Sequence, residues 1–155
     1  MECASRTLKE GGIMATRSRI AYSDGGDVVH SYHHWDGYPE GLGRYLVKHF
    51  PTWEDAKRLV DGGDMSTCMG SDTEDGVVYY HRDRNEPWEN TKPENEYIQD
   101  YMSIIDDKLS PERENSEGLE YLYAHVKGEW QVTDDGIDFE PIEEYIARMK
   151  RKQVA

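Results

Sequence analysis

Twice in this chain a run of β-forming residues breaks at a glycine turn and resumes, and each break commits its flanks to a hairpin. In the first, from about residue 17 to 35, Ile20 and Tyr22 alternate with polar residues. Ser23-Asp24-Gly25-Gly26 then supplies the turn, and Val28 to Trp35 is rich in β-formers. The second sets Lys127-Gly128 between Leu119–Val126 and Glu129–Thr133, with glycine where a tight turn requires positive φ. Gly76 to His81 reads as one more strand. Helical spacing follows Pro39-Glu40 at Leu42, Tyr45, Leu46 and His49, up to Pro51. It recurs at Trp53, Ala56, Leu59 and Val60, behind the N-cap residue Thr52 and ahead of Gly62-Gly63. Tyr97, Ile98, Tyr101, Met102 and Ile105 predict a helix over residues 93–109, and Ile142, Tyr145, Ile146 and Met149 another over 141–152. In the last, acidic residues open the helix and basic ones close it, matching the macrodipole. The expected class is α+β: one domain over residues 14–152, an antiparallel sheet of about five strands covered by helices.

The core must be thin. Of 155 residues only 36% are hydrophobic, while 32 acidic against 18 basic side chains give a net charge of −14. Full disorder is excluded by 11 Tyr, 4 Trp and the periodicities above. No run approaches the ~18–20 apolar residues of a membrane span, and no apolar leader follows the N-terminus. Cys3 and Cys68 are too few for a disulfide framework and form no CxxC pair, which fits a reducing cytoplasm. Residues 1–13 lack an apolar period and read as a non-native or flexible extension. Met14 is preceded by Lys9-Glu10-Gly11, a tripeptide that a purine-rich ribosome-binding sequence could encode.

Two constellations carry chemistry. Trp35, Asp36, Tyr38 and Glu40 lie where a strand passes into a helix, a common place for anions and ligands. His81, Arg82, Asp83 and Arg84 lie at the end of another strand. Should the two ends adjoin, an aromatic platform would meet guanidinium groups suited to a base or a phosphate. The structural alternative is that Trp35 and Tyr38 are core, Asp36 is an N-cap and Arg82-Asp83-Arg84 is a solvated turn. The His-Arg-Asp triplet is no kinase loop, since the chain is too short and lacks the accompanying motifs.

The run His34-Trp35-Asp36-Gly37-Tyr38-Pro39-Glu40-Gly41-Leu42-Gly43, with Ser18-Arg19-Ile20 before it and Tyr80 to Arg84 and Glu120-Tyr121-Leu122-Tyr123 after it, resembles a family of small bacteriophage and prophage proteins. The resemblance covers most of residues 14–144. It implies a viral accessory protein acting in a bacterial cytoplasm and brings no catalytic residue with it. Other members often carry Cys at the position of His33, which argues against His33 as an essential ligand.

No metal or cofactor is expected. His33 and His34 point to opposite faces of a strand, His30 and His34 lie ~13 Å apart, and His34 and Asp36 nearly 7 Å. Cys68 has no identifiable base. The charge distribution says more: residues 53–145 hold 26 Asp or Glu against 8 Lys or Arg, a local net of −18. Such a field repels DNA and RNA and steers basic surfaces inward; the bland alternative is that it maintains solubility. The first expectation is therefore a non-enzymatic inhibitor of a bacterial host protein, one that handles nucleic acid or defends against phage, by DNA-mimic electrostatics. The second is a nucleotide-binding or nucleotide-hydrolysing pocket built from the two constellations. Neither involves direct nucleic-acid or membrane binding.

Overall fold

The computed structural model describes residues 16–97, 118–136 and 138–154; residues 1–13 and most of the expected helix over 93–109 lie outside these. Strands β1 (Arg17–Asp24) and β2 (Asp27–His33) form the first hairpin, in register from Ser18 opposite His33 to Asp24 opposite Asp27. A single π-helical turn (Pro39–Gly43) feeds α1 (Arg44–His49), and α2 (Trp53–Asp61) follows. Thr52 and Asp55 close a reciprocal capping box at the start of α2: the Thr52 hydroxyl accepts from the Asp55 N–H at 3.0 Å, and the Asp55 carboxylate accepts from the Thr52 N–H at 3.3 Å. Short elements come next: β3 (Met65–Thr67), β4 (Val78–Tyr79), α3 (Tyr80–Arg84), α4 (Trp88–Thr91) and β5 (Glu94–Tyr97). The second hairpin, β6 (Leu119–Val126) with β7 (Glu129–Thr133), leads to β8 (Glu140–Pro141) and α5 (Ile142–Val154).

The fold is α+β, but among the described residues its sheet has eight strands and is mixed. The path runs β4-β3-β2-β1-β6-β7-β8, with β5 also on β2. The two hairpins join through β1 and β6, which run parallel, and β2 meets β3 in parallel at His33 and Met65. Hairpin chemistry is local, whereas the relative direction of two hairpins is set by packing. β3, β5 and β8 are too short to show a period. Three local expectations need correction. Glu94–Tyr97 is a strand, antiparallel to β2, rather than the start of a helix. The strand expected over 76–81 is confined to Val78–Tyr79, and Tyr80–Arg84 turns helical. The helix after Pro39 opens as a π turn.

Side chains directly opposite one another across a sheet share a face. Ile20, Tyr22 and Tyr123 face α1, α2 and α5, making the main core with Leu42, Leu46, Leu59 and Ile142. Ala21, Val28, Leu122 and Ala124 form a small second cluster on the opposite face.

Candidate functional site

The segment after β2 is fixed to the sheet by several hydrogen bonds. Trp35 donates its N–H to the Ser66 carbonyl of β3 at 3.0 Å, and Gly37 donates to the Thr16 carbonyl at 2.8 Å. The buried Tyr123 hydroxyl donates to the Gly37 carbonyl at 2.6 Å. A Cβ on residue 37 would lie 2.6 Å from the Thr16 oxygen, so only glycine fits. Pro39 is buried and starts the π turn. The Asp36 and Tyr38 carbonyls accept from Leu42 and Gly41 at 3.2 and 3.0 Å. Between these fixed points Asp36 sits in the left-handed region at φ 56°.

The side chains of this turn point outward: Trp35 is 40% exposed, Tyr38 is 42% exposed, and Asp36 and Glu40 are exposed too. That corrects the structural alternative for three of them. Trp35 and Tyr38 are not core. Asp36 is not an N-cap either, because Tyr38 occupies that position and no side chain caps the turn. Glu40 faces Lys150 of α5 at 3.6 Å.

The second constellation is spent internally. The Arg82 guanidinium takes both Asp75 oxygens at 2.8 and 3.0 Å, the Asp83 carboxylate at 2.9 Å, and the Val77 carbonyl at 2.7 Å, while lying over the Tyr79 ring. Arg82 holds the Asp75 and Asp83 carboxyls below the usual carboxylate range. Asp83 also accepts from the Tyr79 N–H at 2.9 Å. His81 bonds the Glu86 carbonyl and packs edge-on to Trp88. Arg84 covers the Tyr80 ring and reaches the Ser66 hydroxyl at 3.5 Å. The two constellations therefore adjoin at one residue, Ser66, whose carbonyl holds Trp35 and whose hydroxyl is within reach of Arg84. The phosphate clamp expected of Arg82 is already filled by carboxylates.

Buried polar groups complete the inventory. His33 is fully buried, accepts from the Cys68 N–H at Nε2 (3.0 Å), and is driven down to about 3 by desolvation. Among the described residues its Nδ1 has no hydrogen-bond partner, nor has the Oγ of Ser18, the residue opposite it. Burial pushes the Cys68 thiol up to about 12, so it is no nucleophile at neutral pH.

His30, Glu94 and Glu96 bring ligand atoms within 4.8 Å of one another, a trio that sequence reasoning missed because β5 was read as helix. The buried Arg19 enters the same space, donating to His30 Nδ1 at 2.9 Å and to Glu94 at 3.0 Å. With Nδ1 accepting, the imidazole proton sits on Nε2, the atom that a metal here would need, 3.7 Å from Glu96. As it stands the geometry is that of a polar network centred on Arg19.

A cleft of about 290 Å³ lies between α1, α2 and β4, floored by Phe50, Leu59, Val77 and Tyr79. The charged groups on its rim are committed elsewhere, Arg58 to Asp55 and Asp75 to Arg82. Among the described residues no helix is long and apolar enough to cross a membrane. No family model, curated protein or solved structure matches this chain.

Proposed function

We propose that this chain is an acidic accessory protein, of the kind the phage resemblance implies, that binds a basic host protein and blocks the surface on which that protein holds nucleic acid. The observation that carries this reading is how charge is spent. Many surface cations are neutralised in place, in pairs such as Arg44 with Glu143, Lys57 with Asp61, Arg82 with Asp75 and Arg148 with Glu140, while exposed Lys48, Lys127, Arg151 and Lys152 have no acidic partner among the described residues. Exposed Asp24, Glu54, Asp72, Glu74, Glu86 and Glu144 have no cationic partner among the described residues. The unspent charge at the surface is thus negative on balance, which accelerates encounter with a basic face and disfavours nucleic acid. The nucleotide-pocket reading is the weaker one, since its clamp residue Arg82 is already ligated by two carboxylates.

The test is capture from bacterial lysate on the immobilised full chain at low ionic strength. The captured protein is then purified, and its affinity measured at low and high salt. A stoichiometric basic protein whose affinity falls at least about tenfold across the series supports the reading. Affinity indifferent to salt, or no stoichiometric partner, overturns it.

A further inference from the structure

Several described aromatic side chains elsewhere in the fold put their polar tips to structural use. The indoles of Trp53 and Trp130 donate to backbone carbonyls of Ser23 and Phe50, and the hydroxyls of Tyr22, Tyr79, Tyr123 and Tyr145 each have an acceptor. Trp35 and Tyr38 do not, and among the described residues neither do the exposed Trp88 and the half-buried Tyr45; what sets the first two apart is that they flank an unpartnered carboxylate. Both are exposed, and among the described residues neither the Trp35 indole N–H nor the Tyr38 hydroxyl is hydrogen-bonded within the chain.

Asp36 lies between them. Its backbone adopts a conformation that favours glycine, yet among the described residues its exposed carboxylate makes no hydrogen bond and no ion pair. A charged side chain with no polar partner among the described residues thus sits at a left-handed position held from both sides, by Ser66 behind Trp35 and by Thr16 and Tyr123 at Gly37. Exposed aromatics beside a carboxylate match one chemistry well, a guanidinium that stacks on an indole face while a carboxylate takes its N–H groups.

We propose that the Trp35-Asp36-Gly37-Tyr38 turn is the anchor of the partner interface, receiving an arginine side chain of the partner protein between Asp36 and the flanking aromatic rings. The proposal rests on the acidic-binder reading and adds the place and residue type of the contact. The acidic field brings the partner in, and the turn fixes its register. Glu40, at the edge of the turn, is paired with Lys150 at 3.6 Å, which leaves Asp36 as the unpaired carboxylate of the turn.

The test titrates nitrogen-15-labelled full chain with hexa-arginine peptide at low salt. The wild type is compared with Asp36→Gly, Asp36→Asn, Trp35→Ala and, as a charge-matched control, Glu89→Gln, whose charge Lys92 already offsets. The expected result is a shift concentrated in the Trp35 indole and the amides of residues 36–38. Each Asp36 variant should lose at least about tenfold in affinity and the control should change little, with Asp36→Gly melting at or above the wild-type temperature. Asp36→Asn keeps shape and backbone tolerance, so a loss there reports charge alone. Binding with shifts spread over the acidic surface, and Asp36 variants equal to the control, would overturn the anchor and leave the acidic-binder reading standing. No binding at low salt would overturn both. An indole response to ATP that exceeds the response to the peptide would overturn the arginine assignment in favour of a nucleotide.

Discussion

The hydroxyl of Tyr123 donates to the carbonyl of Gly37 at 2.6 Å, across 86 residues of chain and in a fully buried setting. One bond ties the exposed turn to the central strand β6, whose parallel partner β1 begins beside Thr16, the residue that takes the Gly37 N–H. The turn is therefore tied directly to the sheet beneath it.

Removing that hydroxyl leaves a buried carbonyl without its donor. Tyr123→Phe should cost about 1–3 kcal/mol in urea denaturation and should raise amide exchange at residues 36–38 more than elsewhere. Uniform exchange across the sheet would show that the turn is held by other contacts.

Gly37→Ala places a methyl group against the Thr16 oxygen at 2.6 Å and the Ser18 Oγ at 2.7 Å. Backbone cannot yield as a flexible side chain can, so the variant should lose more than about 2 kcal/mol. A thermal melt within about a degree of wild type would contradict the packing described.

Arg82→Ala distinguishes a structural from a ligand-binding guanidinium. The network is half exposed, so its loss should cost only about 1 kcal/mol, with Asp75 and Asp83 returning toward ordinary carboxylate titration, measurable by carbon-13 NMR. Thermal stabilisation of the wild type by any nucleotide, abolished by this substitution, would revive the nucleotide pocket.

His33 makes folding sensitive to acid. Its folded-state value, about 3, lies below the unfolded imidazole value, so the unfolded chain binds the extra proton. Stability is complete above about pH 6.5 and falls as pH drops through that value toward 3, by about 1.4 kcal/mol per pH unit at most. His33→Gln can still accept from the Cys68 N–H but does not titrate, so its stability should change less than wild type between pH 6.5 and 4.5. Parallel pH profiles would assign the acid sensitivity to other groups.

What the sequence discloses follows the range of each interaction. Thr52 and Asp55 are three residues apart, Lys127-Gly128 closes its own hairpin, and Ile142 to Met149 repeat at helical spacing, so all three are legible directly. The parallel pairing of β1 with β6 and the strand Glu94–Tyr97 depend on contacts between distant segments. Arg19 could not be read as a network centre for the same reason: its partner Glu94 is 75 residues away. The turn from Trp35 to Gly43 was visible as a motif through its glycines and proline. The outward aim of Trp35 and Tyr38 was not, because large aromatics near a strand end are commonly buried. The fate of Arg82 turned on Asp75, placed beside it by the fold after β3.

The most direct measurement is the fluorescence anisotropy of labelled hexa-arginine bound to the full chain, from roughly 50 to roughly 300 mM salt. Saturable binding is expected, weakening steeply along the series and weakening further in Asp36→Asn at every salt concentration. Binding absent at the lowest salt, or unchanged across the series, would contradict the acidic-binder reading.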